Sequence, residues 1–321
     1  MKEFYLTAVA ALCASGFVCA HAQNPQSDTT IVHLRDVEVM ANRADHRTPV
    51  AFSNLTAAEI ERVNDGRDIP FLLESMPSVV TTGDAGGGIG YSGLRVRGTD
   101  ASRINITANG VPINDSESHN VYWVNMPDLA SSVRDIQLQR GAGTSANGAG
   151  AFGASVNMIT DAPSFEPEAE LSASYGSYNS NKQTLKLRSG LLRDHWSMDM
   201  RLSHVGSDGY IDRAYSKLWS YMGQLAYTSG GTSVRLLAFG GKEQTYMAWD
   251  YASKEEMEKY GRRYNPCGRY TADDGSTAYY PDQFDHFVQH HIHLSGSQQL
   301  AAGWRMNLTF HYTKGDGYYN Q

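Results

Sequence analysis

The stretch Trp196-Ser197-Met198-Asp199-Met200-Arg201-Leu202-Ser203 decides the fold. On an extended chain, side chains alternate between two faces, so Trp196, Met198, Met200 and Leu202 share one face and Asp199 and Arg201 the other. The same reading extends both ways along the chain from about Glu168 to the end. Leu171, Ala173 and Tyr175 align, as do Leu185 with Leu187, Tyr221 with Leu225 and Tyr227, and Val234 with Leu236 and Ala238. Val288, Ile292 and Leu294 follow, then Trp304, Met306, Leu308, Phe310 and Tyr312. The opposite phase holds Lys186, Arg188, Asp199, Arg201, Gln224, Arg235, Gln289, His291, His293, Arg305, Asn307 and His311. Segments of about ten residues with this period are the length of a membrane β-strand.

A half-buried soluble sheet also alternates, so the connections break the tie. They are short at 177–180 and 190–194, longer at 206–216, tight at 229–232, very long at 241–284 and tight at 296–302. From the third onward, long and short alternate, as the outer loops and inner turns of an outer-membrane barrel do. The first connection does not fit this rule. The longest carries a charged, helix-like run, Ser253–Tyr260, a candidate lid. The last residues, Gly317–Gln321, read as the start of an outer loop.

The N-terminus supports export. Lys2, an apolar run from Phe4 to Ala20 and the Ala20-His21-Ala22 cleavage pattern form a secretory signal over 1–22. Its removal takes two of the three cysteines, leaving Cys267 and no internal disulfide. The net charge of −7, without a basic block, excludes a nucleic-acid binder.

Between signal and barrel lie a polar leader, 23–44, and a Gly-rich module, 45–161; the barrel portion is 162–321. In the module, Thr56-Ala57-Ala58-Glu59 is a capping box. Asp68–Met76 reads as a helix with Leu72, Leu73 and Met76 on one face and Pro77 as its stop. Arg103–Thr107 and Val111–Ile113 flank Asn109-Gly110, a hairpin signal, and further strands fit Ile136–Leu138 and Ser155–Thr160. The expected fold is therefore a small α+β module followed by an antiparallel transmembrane β-barrel.

No catalytic pattern emerges. Gly88-x-Gly90-x-x-Gly93 precedes Leu94-Arg95-Val96-Arg97, a strand, whereas a dinucleotide loop must open a helix. Gly141-x-Gly143 fails in the same way, and Walker A, HExxH and GxSxG sequences are absent. His286, His290, His291 and His293 invite a metal reading, but only His291 and His293 share a lumen face and a closed site needs three or four converging donors. The acids of Asn114-Asp115-Ser116-Glu117 have no base nearby. The expectation is a protein that is not an enzyme, with no cofactor and no bound metal.

Lumen-facing Arg188, Arg201, Arg235 and Arg305 need something inside the barrel, because unpaired cations lining a lumen repel one another. The module ahead of the first strand supplies it, since the largest barrels are plugged. Further ahead, Asp36-Val37-Glu38-Val39-Met40 is an extended pattern able to add as an edge strand to a partner's sheet.

Four ordered motifs give these features a resemblance. Asp36–Arg43, Leu94-Arg95-Val96-Arg97-Gly98, Asn109-Gly110-Val111-Pro112-Ile113, and Ile136–Gly141 continuing through Gly148–Thr160 look like the TonB box and successive plug motifs of TonB-dependent outer-membrane receptors. The flavour resembles the iron-chelate branch, including ferric-citrate receptors. The resemblance implies an outer-membrane location in contact with lipid, import of a ferric siderophore or ferric citrate, and TonB with its inner-membrane energising complex as partner. It makes Asp36, Val37, Glu38, Val39 and Met40 the TonB box. The short distance from cleavage site to box implies no extra signalling domain and disfavours the carbohydrate-importing branch. Such barrels have about 22 strands and this chain supplies about seven, which reads as a truncated barrel. Gly-rich 83–93 and Asn/Ser/His-rich 114–123 would be plug apices, with Asp84, Tyr91, Asn114, Ser116, His119, Tyr122 and Trp123 as candidate ligand contacts. A cobalamin or haem receptor, and a passive porin or adhesive barrel, stand as alternatives.

Overall fold

Two main sheets of opposite polarity organise residues 43–142 and 152–320, the residues that a computed structural model describes. The signal segment, the Asp36–Met40 pentapeptide and residues 143–151 of the Gly/Ala motif lie outside the described residues.

The module begins with β1 (Ala51–Thr56), which runs into α1 (Ala57–Val63) through the capping box. Thr56 N–H donates to Glu59 Oε2 at 2.9 Å, as that sequence pattern requires. The second helix is shorter than its periodicity suggests. α2 spans only Ile69–Leu72, and turns carry the chain on to Met76 and Pro77. Leu72, Leu73 and Met76 are nevertheless buried together, so the apolar face survives without the regular helix. Asp68 does not cap α2 with its side chain; its buried carboxylate accepts from Ser92 Oγ at 2.7 Å. Burial pushes its pKa up to about 7, against the opposing effect of that hydrogen bond.

A hairpin of β2 (Val79–Gly83) and β3 (Ser92–Val96) follows, confirming that the glycine motif leads into a strand. β4 (Ile104–Ala108) and β5 (Val111–Pro112) then close through Asn109 and Gly110, at φ 52° and 79°. This is the double positive-φ turn that matches the twist of a two-residue hairpin. β6 (Val133–Arg140) and β7 (Ala154–Thr160) complete a five-stranded sheet of order β1-β6-β7-β4-β5, in which only β4 and β7 run parallel. Ile60, Leu73, Ile104, Ile136, Leu138 and Val156 fill its core.

The second sheet is built from β8 (Pro167–Tyr175), β9 (Asn181–Leu192), β10 (Trp196–Ser207), β11 (Ser216–Ser229) and β12 (Thr232–Tyr246). The connection after β12 holds α3 (Lys254–Tyr260) and a small hairpin of β13 (Arg269–Thr271) and β14 (Thr277–Tyr279). β15 (Phe284–Ala301) and β16 (Trp304–Tyr319) finish the wall. Its seven strands pair antiparallel with sequence neighbours, in the order β16-β15-β12-β11-β10-β9-β8. β15 extends through 296–301, where the sequence predicts a turn. Gly317 to Tyr319 pair with β15 and are strand, not loop, because the ladder continues to Asp285↔Tyr319.

The wall is inverted relative to a soluble sheet. Met198 is 57% exposed and Leu202 44%, while Asp199 and Arg201 between them are 9% and 4% exposed. Apolar side chains thus face outward as a belt, flanked by Trp196, Trp219 and Trp304, the arrangement of a lipid-facing barrel surface. The connections 208–215 and 247–283 emerge on one side, and the tight turns 193–195, 230–231 and 302–303 on the other. The short connection 176–180 lies on the long side, where Tyr178 packs edge-on against Tyr210 at 5.6 Å and its carbonyl accepts from Asp208 N–H at 2.8 Å. The irregular first connection is thereby part of the outer loop cluster.

The inner phase carries an apolar patch that strict alternation hides. Met222, Leu237 and Phe239 point inward and share one hydrophobic core with the module. Gly241 lets the chain between Asn125 and Pro127 approach β12, since a Cβ there would lie 2.7 Å from the Asn125 carbonyl oxygen. Burying a side chain such as Phe239 contributes about 1.5–3 kcal/mol. The module is therefore seated on the wall by packing as well as by polar contacts.

Candidate functional site

Asp128 is the centre of the polar seating. It takes a left-handed conformation, φ 51°, just before the 3-10 turn Leu129–Ser132, which aims its carboxylate at the wall. Lys182 Nζ from β9 lies 2.8 Å from Oδ1 and Arg201 Nη1 from β10 lies 3.5 Å from Oδ2. Thr184 Oγ1 donates to Oδ2 at 2.8 Å, Ser203 Oγ at 2.6 Å, and Ser131 Oγ to Oδ1 at 2.6 Å. Burial alone would raise this carboxyl's pKa, but the charges of Arg201 and Lys182 and the hydrogen bonds from Lys182 and Ser131 outweigh it and bring it to about 2. Removing one partner of such a buried, fully bonded pair costs about 3–5 kcal/mol.

The four lumen arginines divide three to one. Arg201 Nε also donates to Ser132 Oγ at 2.7 Å. Arg188 bridges Asp161 at 3.2 Å and Glu168 at 3.1 Å. Arg235 Nη2 donates to Thr160 Oγ1 at 2.9 Å and to the Asp161 carbonyl at 2.8 Å. Burial raises the pKa of Asp161 despite Lys186, Arg188 and Arg235 around it. Arg305, in contrast, is exposed, and among the described residues its side chain bonds along its own strand pair, to Gln299 Oε1 at 3.4 Å. Asp128 and Lys182, the centre of this network, carried no sequence signal: a lone Asp after a proline and a lysine on a strand are ordinary until the fold brings them together.

Toward the long connections, a cleft of about 210 Å³ gathers Asp84, Tyr91, Tyr122 and Trp123 of the expected contacts, with Asn120 and Tyr251. Tyr251, from the 247–283 connection, donates to Asp84 Oδ1 at 2.8 Å. Burial, and then the bond to Asp84, pushes the Tyr251 phenol up to about 12; burial also raises Asp84. Tyr91 donates to Asp285 Oδ2 and packs edge-on against Trp249, 6.1 Å between ring centres. Its own phenol is pushed upward by burial and by the charges of Glu243 and Asp285. The cleft thus presents three phenols and a carboxylate at the seam between module and outer connection.

Trp123 lines the cleft but is 3% exposed and belongs to the module's core, so it is chiefly a packing residue. Asn114, Ser116 and His119 are not in the cleft. The Asn114 side chain braces the hairpin, accepting from Ile106 N–H at 2.8 Å and donating to the carbonyls of Ile104 and His119. Ser116 sits exposed in a turn around Asp115, and His119 is exposed at φ 58°. Alternation identified none of Tyr251, Trp249 and Asp285, because two lie in an irregular loop and one at a strand's first residues.

The histidines split across the wall. His291 stacks on Phe239 at 4.7 Å on the inner face with His293, while His290 faces outward and bonds Tyr221. Among the described residues, no three His, Cys, Asp or Glu side chains are grouped to hold a metal ion.

Residues 44–155 match the family model of the TonB-dependent receptor plug domain. Among curated proteins, the chain is 23% identical over 318 residues to the ferrienterobactin receptor of Escherichia coli K12, covering 90% of this chain and 41% of that protein. It is 27% identical over 194 residues to the vitamin B12 transporter BtuB of Vibrio cholerae, covering 59% of this chain and 30% of that one. Among solved structures, the ferric yersiniabactin uptake receptor FyuA of Yersinia pestis superposes with a TM-score of 0.66 at 16% identity, over 84% of this chain and 41% of that chain. The siderophore receptor PirA of Acinetobacter baumannii gives 0.60 at 18% identity, over 83% and 40%. The chain therefore spans about two-fifths of the length of the ferrienterobactin receptor, FyuA and PirA.

Proposed function

The chain belongs to the TonB-dependent outer-membrane receptors, as a plug domain with barrel strands beside it, and from that premise we propose that it serves active import of an iron chelate. The plug is the module of β1–β7, and the wall of β8–β12, β15 and β16 is its barrel portion. In this reading the chelate docks from outside in the cleft of Asp84, Tyr91, Tyr122 and Tyr251. TonB then adds as a strand to Asp36–Met40 on the inner side. The pull, drawn from the inner-membrane proton gradient, rearranges the plug and opens a path along the wall.

The observation that carries this reading is the position of the cleft. It lies on the long-connection side of a plug that is held to the wall elsewhere by Asp128. A ligand there meets groups from both plug and outer connection, so its binding bears directly on the contact between them. Phenols and a carboxylate suit a polar, oxygen-rich chelate through hydrogen bonds.

The test is deletion of Asp36–Met40 from the receptor in its own membrane, with radio-iron uptake and surface binding measured separately. Binding retained with uptake abolished is the expected result. Undiminished uptake would overturn energy-coupled import in favour of a passive pore. A second reading, cobalamin, is favoured by the likeness to BtuB. Titrating ferric citrate, catecholates, hydroxamates, haem and cobalamin against Trp fluorescence separates the two, with Trp249 beside Tyr91 as reporter. A response to cobalamin or haem alone would replace the iron-chelate assignment.

A further inference from the structure

The lipid face of the wall is not a uniform apolar belt. Gly223 of β11 stands in register with Met200 on one side and Ala238 on the other. A Cβ at Gly223 would meet no atom within 4 Å. The resulting groove, about 470 Å³, is lined by Met198, Met200, Leu225, Leu236 and Ala238. One step toward the long connections, Gly240 is flanked by Tyr221 and His290, which are hydrogen-bonded across it at 2.9 Å.

Beyond that bridge the outward phase turns cationic. Lys217 on β11 and Lys242 on β12 are exposed there, and Lys314 on β16 is exposed level with the bridge, beside His290, with His286 further out on β15. A second hollow of about 410 Å³ is lined by His286, His290, Lys314, Asp316 and Tyr318. Asp316 is the only acid in these outward rows. At the opposite edge of the belt the outward residues include Trp196, Tyr227 and Trp304, and no lysine.

We propose that this face holds a phosphorylated lipid of the outer leaflet, with a hydrocarbon chain in the groove over Gly223 and a headgroup phosphate among Lys217, Lys242 and Lys314. A groove floored by glycine accepts a chain that a fully filled belt would leave only in loose contact. The Tyr221–His290 pair sits at the polar boundary, where amphipathic rings belong. Three lysines at one edge of the belt complement an anionic headgroup and are out of place against a neutral one. Their confinement to the long-connection side assigns the recognised charge to that leaflet. The inference rests on the placement of the wall in the outer membrane and does not depend on which ligand is imported.

The test uses the protein purified from its own outer membrane, stripped in detergent and exposed to diphosphorylated lipid A or to its dephosphorylated form, with retained lipid measured by mass spectrometry. The diphosphorylated lipid should be retained and the dephosphorylated form lost. The combined change Lys217→Gln, Lys242→Gln and Lys314→Gln should lower retention roughly tenfold or more. Gly223→Leu, which fills the groove without altering charge, should lower it as well, with folding checked by unchanged heat-modifiable gel migration. Equal retention by the wild type and the triple variant, or retention indifferent to phosphate, overturns the proposal. Absence of chelate uptake by the wild type, with normal lipid retention, would count against the transport reading alone.

Discussion

Asp128 shows how one side chain can fasten two parts of a chain. Its carboxylate gathers a lysine, an arginine and three hydroxyls from the plug and two wall strands. Asp128→Asn removes the charge but keeps the shape, leaving Lys182 and Arg201 buried with a neutral partner. The expected loss is about 3–5 kcal/mol of unfolding free energy in detergent, read from urea titrations at neutral pH. The sign with pH follows from the lowered folded value. The wild-type advantage is fully present above the ordinary carboxyl value of 3.8 and disappears as pH falls through about 2. A difference between wild type and variant that stays constant down to pH 2 would refute the assignment. Single residues were also where sequence reading was weakest. Trp123 and Asn114 carry binding-loop chemistry in the sequence, yet one packs the core and the other ties a hairpin, because their roles are set by neighbours distant in the chain.

At the level of elements, period-two alternation made the wall legible strand by strand, since every outward residue from Trp196 to Leu202 obeys it. The module's hairpin was legible for a different reason: Asn-Gly is among the few pairs that adopt two positive φ values without strain. The spacing predicts a longer α2 than forms, because an apolar face needs only suitable spacing, and turns can present Leu73 and Met76 as well as a helix can. Alternation alone does not describe β12, because Leu237 and Phe239 break the polar phase to meet the plug. That contact depends on Gly241, whose missing side chain admits the Asn125–Pro127 segment. Gly241→Val should push the plug off β12 while leaving the ladder intact. Limited proteolysis of the purified protein should then cut within 100–130 at least several-fold faster than in wild type, with β-sheet circular dichroism unchanged. Identical cleavage rates would mean that the seating does not rely on this close approach.

For the molecule as a whole, the outward belt predicts how it meets a bilayer. Trp219 and Trp304 are 59% and 73% exposed on the lipid face, and Trp196 is 43% exposed at one edge. Trp123 is buried in the plug and Trp249 lies beside Tyr91. In liposomes with brominated acyl chains, single-Trp variants retaining Trp196, Trp219 or Trp304 should be strongly quenched, while those retaining Trp123 or Trp249 should not. Quenching of Trp123 would place the plug in contact with lipid and overturn the two-sided wall.

The alternation that builds the belt also bears on how the chain reaches its membrane. Because polar residues recur at most alternate positions of the wall strands, none of these strands becomes a long continuous oily stretch, and among the described residues no helix is long and apolar enough to cross a membrane. Insertion machinery that selects windows of about 19 residues by their summed hydrophobicity finds no such window in the wall strands. A protein destined for one bilayer can thus be threaded through another without stopping, its oiliness hidden in the spacing of its residues until the strands line up.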